Sequence, residues 1–215
     1  MNPESTDTLI DHVEHSIGGF GGHAFRRATH VSMAVIPYLF YNNGEEISSI
    51  FSLEPNQFVS AVCISLILLE AIRLRSGIVI VGQRAYESKQ ISALAWGALA
   101  VSIALLISPN PGEEGLRAGA FGIPIILGLT FVDPIMGEVK RKKQDLRMAI
   151  IFGMLASYSI WIGCHFWIGT NLVAAVLLAP LTVAGELPRT KLIDDNATMV
   201  LFPLVGAILL FPFLN

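Results

Sequence analysis

The stretch LVAAVLLAPLTVAGELPRTKLIDDNATMVLFPLVGAILLFPFL, residues 172–214, decides the fold class of this chain. Two apolar segments, 172–184 and 199–214, are each long enough to enter a bilayer, and the polar string 186–196 lies between them. Charged and amide side chains are expensive to bury unpaired in lipid. The string therefore belongs at a membrane surface or around a charged ligand.

The rest of the chain repeats this alternation of apolar and polar segments. Of its 215 residues, 53% are hydrophobic and only 14% are charged, which is far more apolar than a soluble domain of this size. The composition predicts an all-α, polytopic integral membrane bundle of about seven transmembrane helices. The predicted apolar segments are 26–41, 57–74, 91–108, 118–132, 148–168, 172–184 and 199–214.

The sequence divides into two parts. Residues 1–25 form a polar arm in which Ile10, Val13 and Ile17 recur at helical spacing, as in an amphipathic surface helix, although a disordered tail fits equally. Residues 26–215 are predicted to form one membrane-embedded domain. The net charge of −3 and the lack of a basic block interleaved with aromatic residues argue against a nucleic-acid partner. The sequence leaves a homo-oligomer open.

The positive charges predict an orientation. With seven spans, thirteen of the 14 Lys and Arg residues fall in one set of alternating polar segments, and only Arg117 falls in the other. By the positive-inside rule the first set, and the N-terminus with it, is cytoplasmic. Four clusters of ionisable residues then lie at the cytoplasmic face. Transporters instead tend to hold such groups near the midplane of repeated halves, so the pattern favours an enzyme that meets a soluble substrate at the membrane surface.

The first two clusters are at helix ends. Arg27 and His30 are one turn apart and could bind phosphate and transfer a proton, or they could be an interfacial anchor and a capping histidine. Glu70 and Arg73, at i and i+3, could pair structurally or contact substrate.

The third cluster surrounds Asp133. Pro134 predicts that the helix ends or kinks at Asp133, and Gly137 permits a close approach to the backbone in the next turn. A carboxylate at such a point could face a metal ion or a phosphate, and the alternative is a capped helix end before a basic loop that begins at Lys140.

The fourth cluster is the polar string itself. Mg²⁺ prefers hard oxygen ligands and uses one or two carboxylates together with substrate phosphates, which Asp194 and Asp195 could supply. Arg189 and Lys191 could neutralise phosphate oxygens. The alternative is that Asp195 or Asn196 only caps the last helix.

Together these clusters resemble the CTP-dependent lipid-alcohol kinases, which include dolichol kinase, phytol kinase and the yeast-type diacylglycerol kinase, relatives of the phosphatidate cytidylyltransferases. The similar elements are Arg27-Ala28-Thr29-His30, Glu70 with Arg73, Val132-Asp133-Pro134 with Gly137, and Glu186, Pro188 and Asp194-Asp195-Asn196 before a final apolar helix. The last element favours the kinases over the cytidylyltransferases. Two features differ from the family: Val132 replaces a glycine, and a basic run at 140–143 replaces a glycine- and lysine-containing nucleotide loop.

The resemblance implies phosphoryl transfer from CTP, or another nucleoside triphosphate, to a lipid alcohol at the cytoplasmic face. It implies that Asp133, Asp194 and Asp195 are catalytic and hold Mg²⁺, and that His30 orients or deprotonates the alcohol. The implied phosphate- and substrate-binding residues are Arg27, Glu70, Arg73, Lys140, Glu186, Arg189, Lys191 and Asn196. Two alternatives are a cytidylyltransferase that acts on a lipid phosphate and a diverged membrane protein without enzymatic activity.

Overall fold

The computed structural model describes residues 17–188 and 193–214, and its regular elements in these ranges are helices. In chain order they are α1 (Gly19–Ser32), α2 (Val35–Ser49), α3 (Pro55–Ser76), α4 (Ala93–Ile107), α5 (Gly122–Lys143), α6 (Leu146–Ile168), α7 (Leu172–Gly185) and α8 (Asp195–Leu210), with 3₁₀ turns at Ala85–Lys89, Gly115–Gly119 and Phe211–Phe213. The predicted all-helical class is confirmed.

Four helices in the described ranges are long and apolar enough to cross a membrane, namely α3, α5, α6 and α8 with its 3₁₀ extension. They are compatible with a multi-pass membrane protein. The apolar helices α4 and α7 have 15 and 14 residues. At about 1.5 Å per residue each is shorter than a hydrocarbon core of about 30 Å, so the count of seven spans stays a prediction.

The core lies between α5, α6, α7 and α8, which pack against one another in sequence order and also pair α5 with α8. Ile126 and Leu129 of α5, Leu178 of α7 and Met199 of α8 are fully buried there. By contrast α3 exposes most of its apolar length, including Leu68 and Leu69. Such a continuous apolar surface on a long helix suits contact with lipid tails.

Several helix termini meet at one end of this bundle. Lys140 near the end of α5 bonds to Glu186 just after α7, and Asn196 at the start of α8 bonds to the backbone of Ala93 at the start of α4. The end of α3 joins them, because Glu70 accepts a hydrogen bond from the N–H of Ser92. We call this part of the molecule the polar end.

One sequence-based boundary is wrong, and one of the two alternatives at Asp133 is excluded. The first apolar segment, 26–41, is not one helix, because α1 ends at Ser32 and α2 begins at Val35. Pro37 explains the break, because it has no N–H to donate to the carbonyl of Met33. This carbonyl accepts from the N–H of Ile36 instead. Of the predicted helix end or kink at Asp133, the helix end is excluded, because α5 continues through Pro134 to Lys143, and the kink stays a prediction. The run 140–143 is therefore its last turn and not a loop.

Gly185 allows α7 and α8 to meet closely. A Cβ atom at this position would lie 2.5 Å from the carbonyl oxygen of Thr198 and 2.6 Å from the backbone of Met199, which cannot move aside like a flexible side chain. A side chain at residue 185 must therefore separate the two helices.

We predict that Gly185→Ala lowers the apparent Tm of the purified protein by several degrees, because overpacking of this kind costs about 1–3 kcal/mol. Gly163→Ala is the matched control, since a Cβ at Gly163 in α6 meets nothing within 4 Å. Thermal unfolding in detergent measures both, and an equal Tm for the two variants would contradict the close packing of α7 on α8.

Candidate functional site

His30 joins three helices at the polar end. Its Nε2 lies 3.0 Å from Oδ1 of Asn196 on α8 and 3.4 Å from Oδ2 of Asp133 on α5. These residues are separated by about a hundred positions or more from His30 in sequence, and they meet because α1 packs against α5 beside the start of α8. The structure thus brings three of the predicted site residues into direct contact.

The surroundings of His30 determine which of its nitrogens carries hydrogen. The side-chain amide of Asn196 donates from Nδ2 to the carbonyl of Ala93 at 3.3 Å, which leaves its oxygen toward His30. Both neighbours of Nε2 are therefore oxygen atoms that can only accept, and Nε2 carries the hydrogen that it donates to Asn196. Neutral His30 then has its lone pair on Nδ1, which is buried and has no partner among the described residues.

Arg27 approaches Asp133 from the preceding turn of α1. Its Nη1 lies 3.9 Å from Oδ2 of Asp133. The guanidinium also lies against Gly137, where a Cβ atom would come within 2.6 Å of Nη2. The close approach that Gly137 was predicted to permit is therefore made by the flexible end of Arg27.

A second pair of residues, Lys140 and Glu186, links the last turn of α5 to the end of α7. Lys140 donates a hydrogen bond of 2.7 Å to Oε1 of Glu186, while Oε2 of this buried carboxylate has no partner among the described residues. Burial raises the pKa of Glu186 to about 7, and the charges of Asp133 and Asp194 act in the same direction, whereas Lys140 lowers it. Glu186 therefore gains and loses its proton near neutral pH.

The start of α8 completes the site. Asp194 is the N-cap, and its carboxylate accepts from the N–H of Asn196 at 3.1 Å, so capping falls to Asp194 and not to the residues after it. Asp195 contacts Asp194 and lies within electrostatic reach of Asp133 and Glu186. Four carboxylates thus share this region. Arg189 and Lys191, the predicted phosphate-binding cations, lie outside the described residues.

Glu70 and Arg73 are joined to each other by two hydrogen bonds of 2.8 Å. Arg73 also donates to the carbonyls of Ile78 and Gln90, each at 2.9 Å, and thereby holds both ends of the segment between α3 and α4. These contacts fit the structural alternative for the pair. A direct contact with substrate stays a prediction.

Sequence reasoning missed the contribution of this segment between α3 and α4. Gln83 and Glu87 are both buried, and Glu87 binds Arg26 of α1 at 3.3 Å. One sequence signal was available. Glu87 follows Arg84 by three residues, and at this spacing the side chain of a Glu can accept a hydrogen bond from the backbone N–H three residues earlier, as Glu87 does from Arg84.

Gln83 and Glu87 line a cavity of about 80 Å³ together with residues of α1, α4 and α8. The other lining residues are Phe25, Arg26, Thr29, His30, Met33, Val81, Gly82, Ala93, Leu94, Gly97 and Asn196. The cavity therefore lies directly beside the contact between His30 and Asn196.

In the part of the chain that the structure describes, no three His, Cys, Asp or Glu side chains are arranged as a self-contained metal site. Mg²⁺ does not require such a cage, because it typically keeps several waters and binds one or two carboxylates together with substrate phosphates. The hard oxygens of Asp133, Asp194 and Asp195, and the unpartnered oxygen of Glu186, have the donor chemistry that this ion needs.

Comparison of the chain with protein-family models, with curated proteins and with solved structures finds no match.

The raised pKa of Glu186 predicts a pH dependence of stability. At pH values between 4.5, the ordinary pKa of Glu, and about 7, the carboxyl group of Glu186 binds a proton more strongly in the folded protein than in the unfolded chain. The contribution to stability is therefore complete below pH 4.5 and is lost as the pH rises through 7. Because Glu186→Gln keeps a neutral side chain at every pH, the Tm of the variant minus that of the wild type should be larger at pH 8 than at pH 5.

Glu113→Gln, in an exposed loop, serves as the control. Thermal scans of the three proteins from pH 5 to pH 8 measure the effect. A difference for Glu186→Gln that is flat or shrinks with rising pH would contradict this account of Glu186.

Proposed function

We propose that this protein is a membrane kinase that transfers a phosphoryl group from CTP, or another nucleoside triphosphate, to an isoprenoid or other lipid alcohol at the cytoplasmic face. The observation that supports it most is the contact of His30 with Asp133 and Asn196, since these residues come from three separate elements of the family-like pattern. A proton acceptor, a carboxylate cluster and cations meet there beside a largely apolar helical surface.

The charges suit phosphoryl transfer. Catalysis of this reaction depends mainly on positioning and on the stabilisation of charge on the phosphate oxygens. Arg27 lies beside Asp133 and Lys140 lies beside Glu186, and each cation is only partly exposed. They would bind phosphate oxygens, with Arg189 and Lys191 as further candidates from the same polar string.

The excess of carboxylates suits a divalent cation. Asp133 with Asp194 or Asp195 would hold Mg²⁺, which when bound neutralises charge on the nucleotide phosphates. Lys140 offsets part of the charge of Glu186 through their 2.7 Å contact, and no such direct cation contact offsets Asp194 among the described residues.

The proposed reaction is a single displacement. The hydroxyl oxygen of the lipid alcohol bonds to the terminal phosphorus of the nucleotide, and the bond from this phosphorus to the bridging oxygen breaks. The hydroxyl proton passes to Nδ1 of His30, whose lone pair is set by the donation from Nε2. The nucleoside diphosphate and the lipid phosphate are the products.

Each of Asp133→Asn, Asp194→Asn and Asp195→Asn is expected to reduce kcat, by about 10²–10³-fold for residues that hold the ion. His30→Gln should reduce it less, because stabilisation of phosphate charge is the larger demand. Asp145→Asn is the matched control, since Asp145 caps α6 through the N–H of Arg147 and Asn caps equally well.

The assay uses purified protein with CTP, ATP or GTP labelled on the terminal phosphate, together with polyprenols, phytol-like alcohols or diacylglycerol. Label in the lipid supports the kinase. If lipid phosphate is consumed and the label leaves in pyrophosphate, the protein is a cytidylyltransferase instead. Full activity in all three Asp variants would refute the proposed site.

A further inference from the structure

Two of the residues that line the cavity beside His30 carry buried polar atoms without a hydrogen-bond partner among the described residues. Nδ1 of His30 and Nε2 of Gln83 are buried, belong to residues that line the cavity, and have no hydrogen-bond partner among the described residues. A buried polar atom without a partner costs about 1–3 kcal/mol, so native proteins seldom keep two of them in one place without a use. One is an acceptor and the other is a donor.

This pair matches a hydroxyl group. A hydroxyl donates one hydrogen and accepts through its oxygen, so it can donate to Nδ1 of His30 and accept from the amide of Gln83. The role of Gln83 as donor is fixed because its Oε1 already accepts from the N–H of Ile80 at 3.0 Å.

The charged residues of the cavity do not favour an anion. Arg26 and Glu87 both line it, but they bind each other at 3.3 Å. The carboxylate of Glu87 also accepts from the backbone N–H groups of Arg84 and Ala93. The atoms that remain unpaired are neutral, which suits an alcohol better than a lipid phosphate.

The rim of the cavity is apolar and open. It is lined by Phe25 of α1, by Val81 of the segment between α3 and α4, and by Leu94 of α4. These residues are 59%, 56% and 52% exposed, respectively. A volume of about 80 Å³ is well below the roughly 300–1,000 Å³ of sites that enclose a whole small molecule. It can hold a hydroxyl and the first carbons of a chain, while the remainder lies along the exposed apolar side chains.

We propose that this cavity, between α1, the Gln83 segment and the start of α4, binds the hydroxyl end of the lipid alcohol, with His30 and Gln83 as its hydrogen-bonding partners. The inference rests on the proposed function for the identity of the substrate. It adds a position for the alcohol and a residue, Gln83, outside the family-like motifs.

Gly97 provides a direct test. It lines the cavity from α4, and a Cβ atom at this position would lie 3.8 Å from Cβ of Asn196, an ordinary contact. Gly97→Ala should therefore leave the protein intact, whereas the larger side chain of Gly97→Leu occupies the cavity. Thr29→Phe narrows the same cavity from α1 and replaces Gly97→Leu if that variant does not fold.

The experiment measures binding of geranylgeraniol to the full-length protein in detergent, without nucleotide, by thermal stabilisation and by fluorescence competition. We expect wild type and Gly97→Ala to bind alike, and Gly97→Leu or Thr29→Phe to raise the apparent Kd by roughly tenfold or more. Geranylgeranyl methyl ether, which has no hydroxyl to donate, should bind more weakly than geranylgeraniol to the wild type.

Equal binding by wild type and both cavity-filling variants, or equal binding of the alcohol and its ether, would overturn the assignment of this cavity. Phosphorylation of the alcohol alongside such a result would leave the proposed function standing. If the variants and the ether behave as expected but no nucleotide phosphorylates the alcohol, the binding site stands and the proposed function fails.

Discussion

The contact of His30 with Asn196 and Asp133 is the interaction on which the polar end depends. It ties the end of α1 to the middle of α5 and to the first turn of α8. Asn196 in turn binds the start of α4 through the carbonyl of Ala93. One imidazole and one amide therefore help to fix the relative positions of four helices where their polar residues converge. Elsewhere the helices are held by apolar packing together with single polar contacts, such as the hydrogen bond from Ser157 of α6 to the carbonyl of Ala179 of α7.

A constraint of charge follows from this convergence. Asp133, Glu186, Asp194 and Asp195 occupy one region that is partly shielded from solvent, and mutual repulsion makes full ionisation costly. Lys140 and Arg27 offset part of this charge, and the raised pKa of Glu186 lowers the repulsion further because it favours the neutral form. This excess of negative charge is the feature on which the proposed binding of Mg²⁺ rests.

The sequence could predict much of this arrangement. Apolar segments at the length of membrane helices located most helices, and the alternation of charge predicted that Arg27, Asp133 and Asp194 belong to one face. The sequence could not predict the effect of either proline, because that effect depends on the surrounding structure. At Pro37 the apolar segment is interrupted, and the carbonyl of Met33 accepts a hydrogen bond from the N–H of Ile36. At Pro134, by contrast, the helix α5 continues without interruption.

The cavity was beyond the reach of sequence patterns, and its residues show why. Gln83 lies in a short irregular segment with no hydrophobic period, and Gly97 lies in an apolar helix where a glycine has many uses. Their place in the cavity depends on two contacts. Glu87 binds Arg26 and so holds the segment against α1, and the N–H of Ile80 donates to the side-chain oxygen of Gln83, which leaves the amide nitrogen as a donor. The first is a tertiary contact between residues 61 positions apart, and the second is a local turn whose sequence carries no strong signal. The polar end thus combines two parts. The carboxylates around Asp133 and Asp194 belong to a motif that sequence spacing can reveal, whereas the neutral cavity is defined only by the folded chain. His30 belongs to both, because its Nε2 lies beside Asp133 and its Nδ1 is the unpartnered acceptor of a cavity-lining residue.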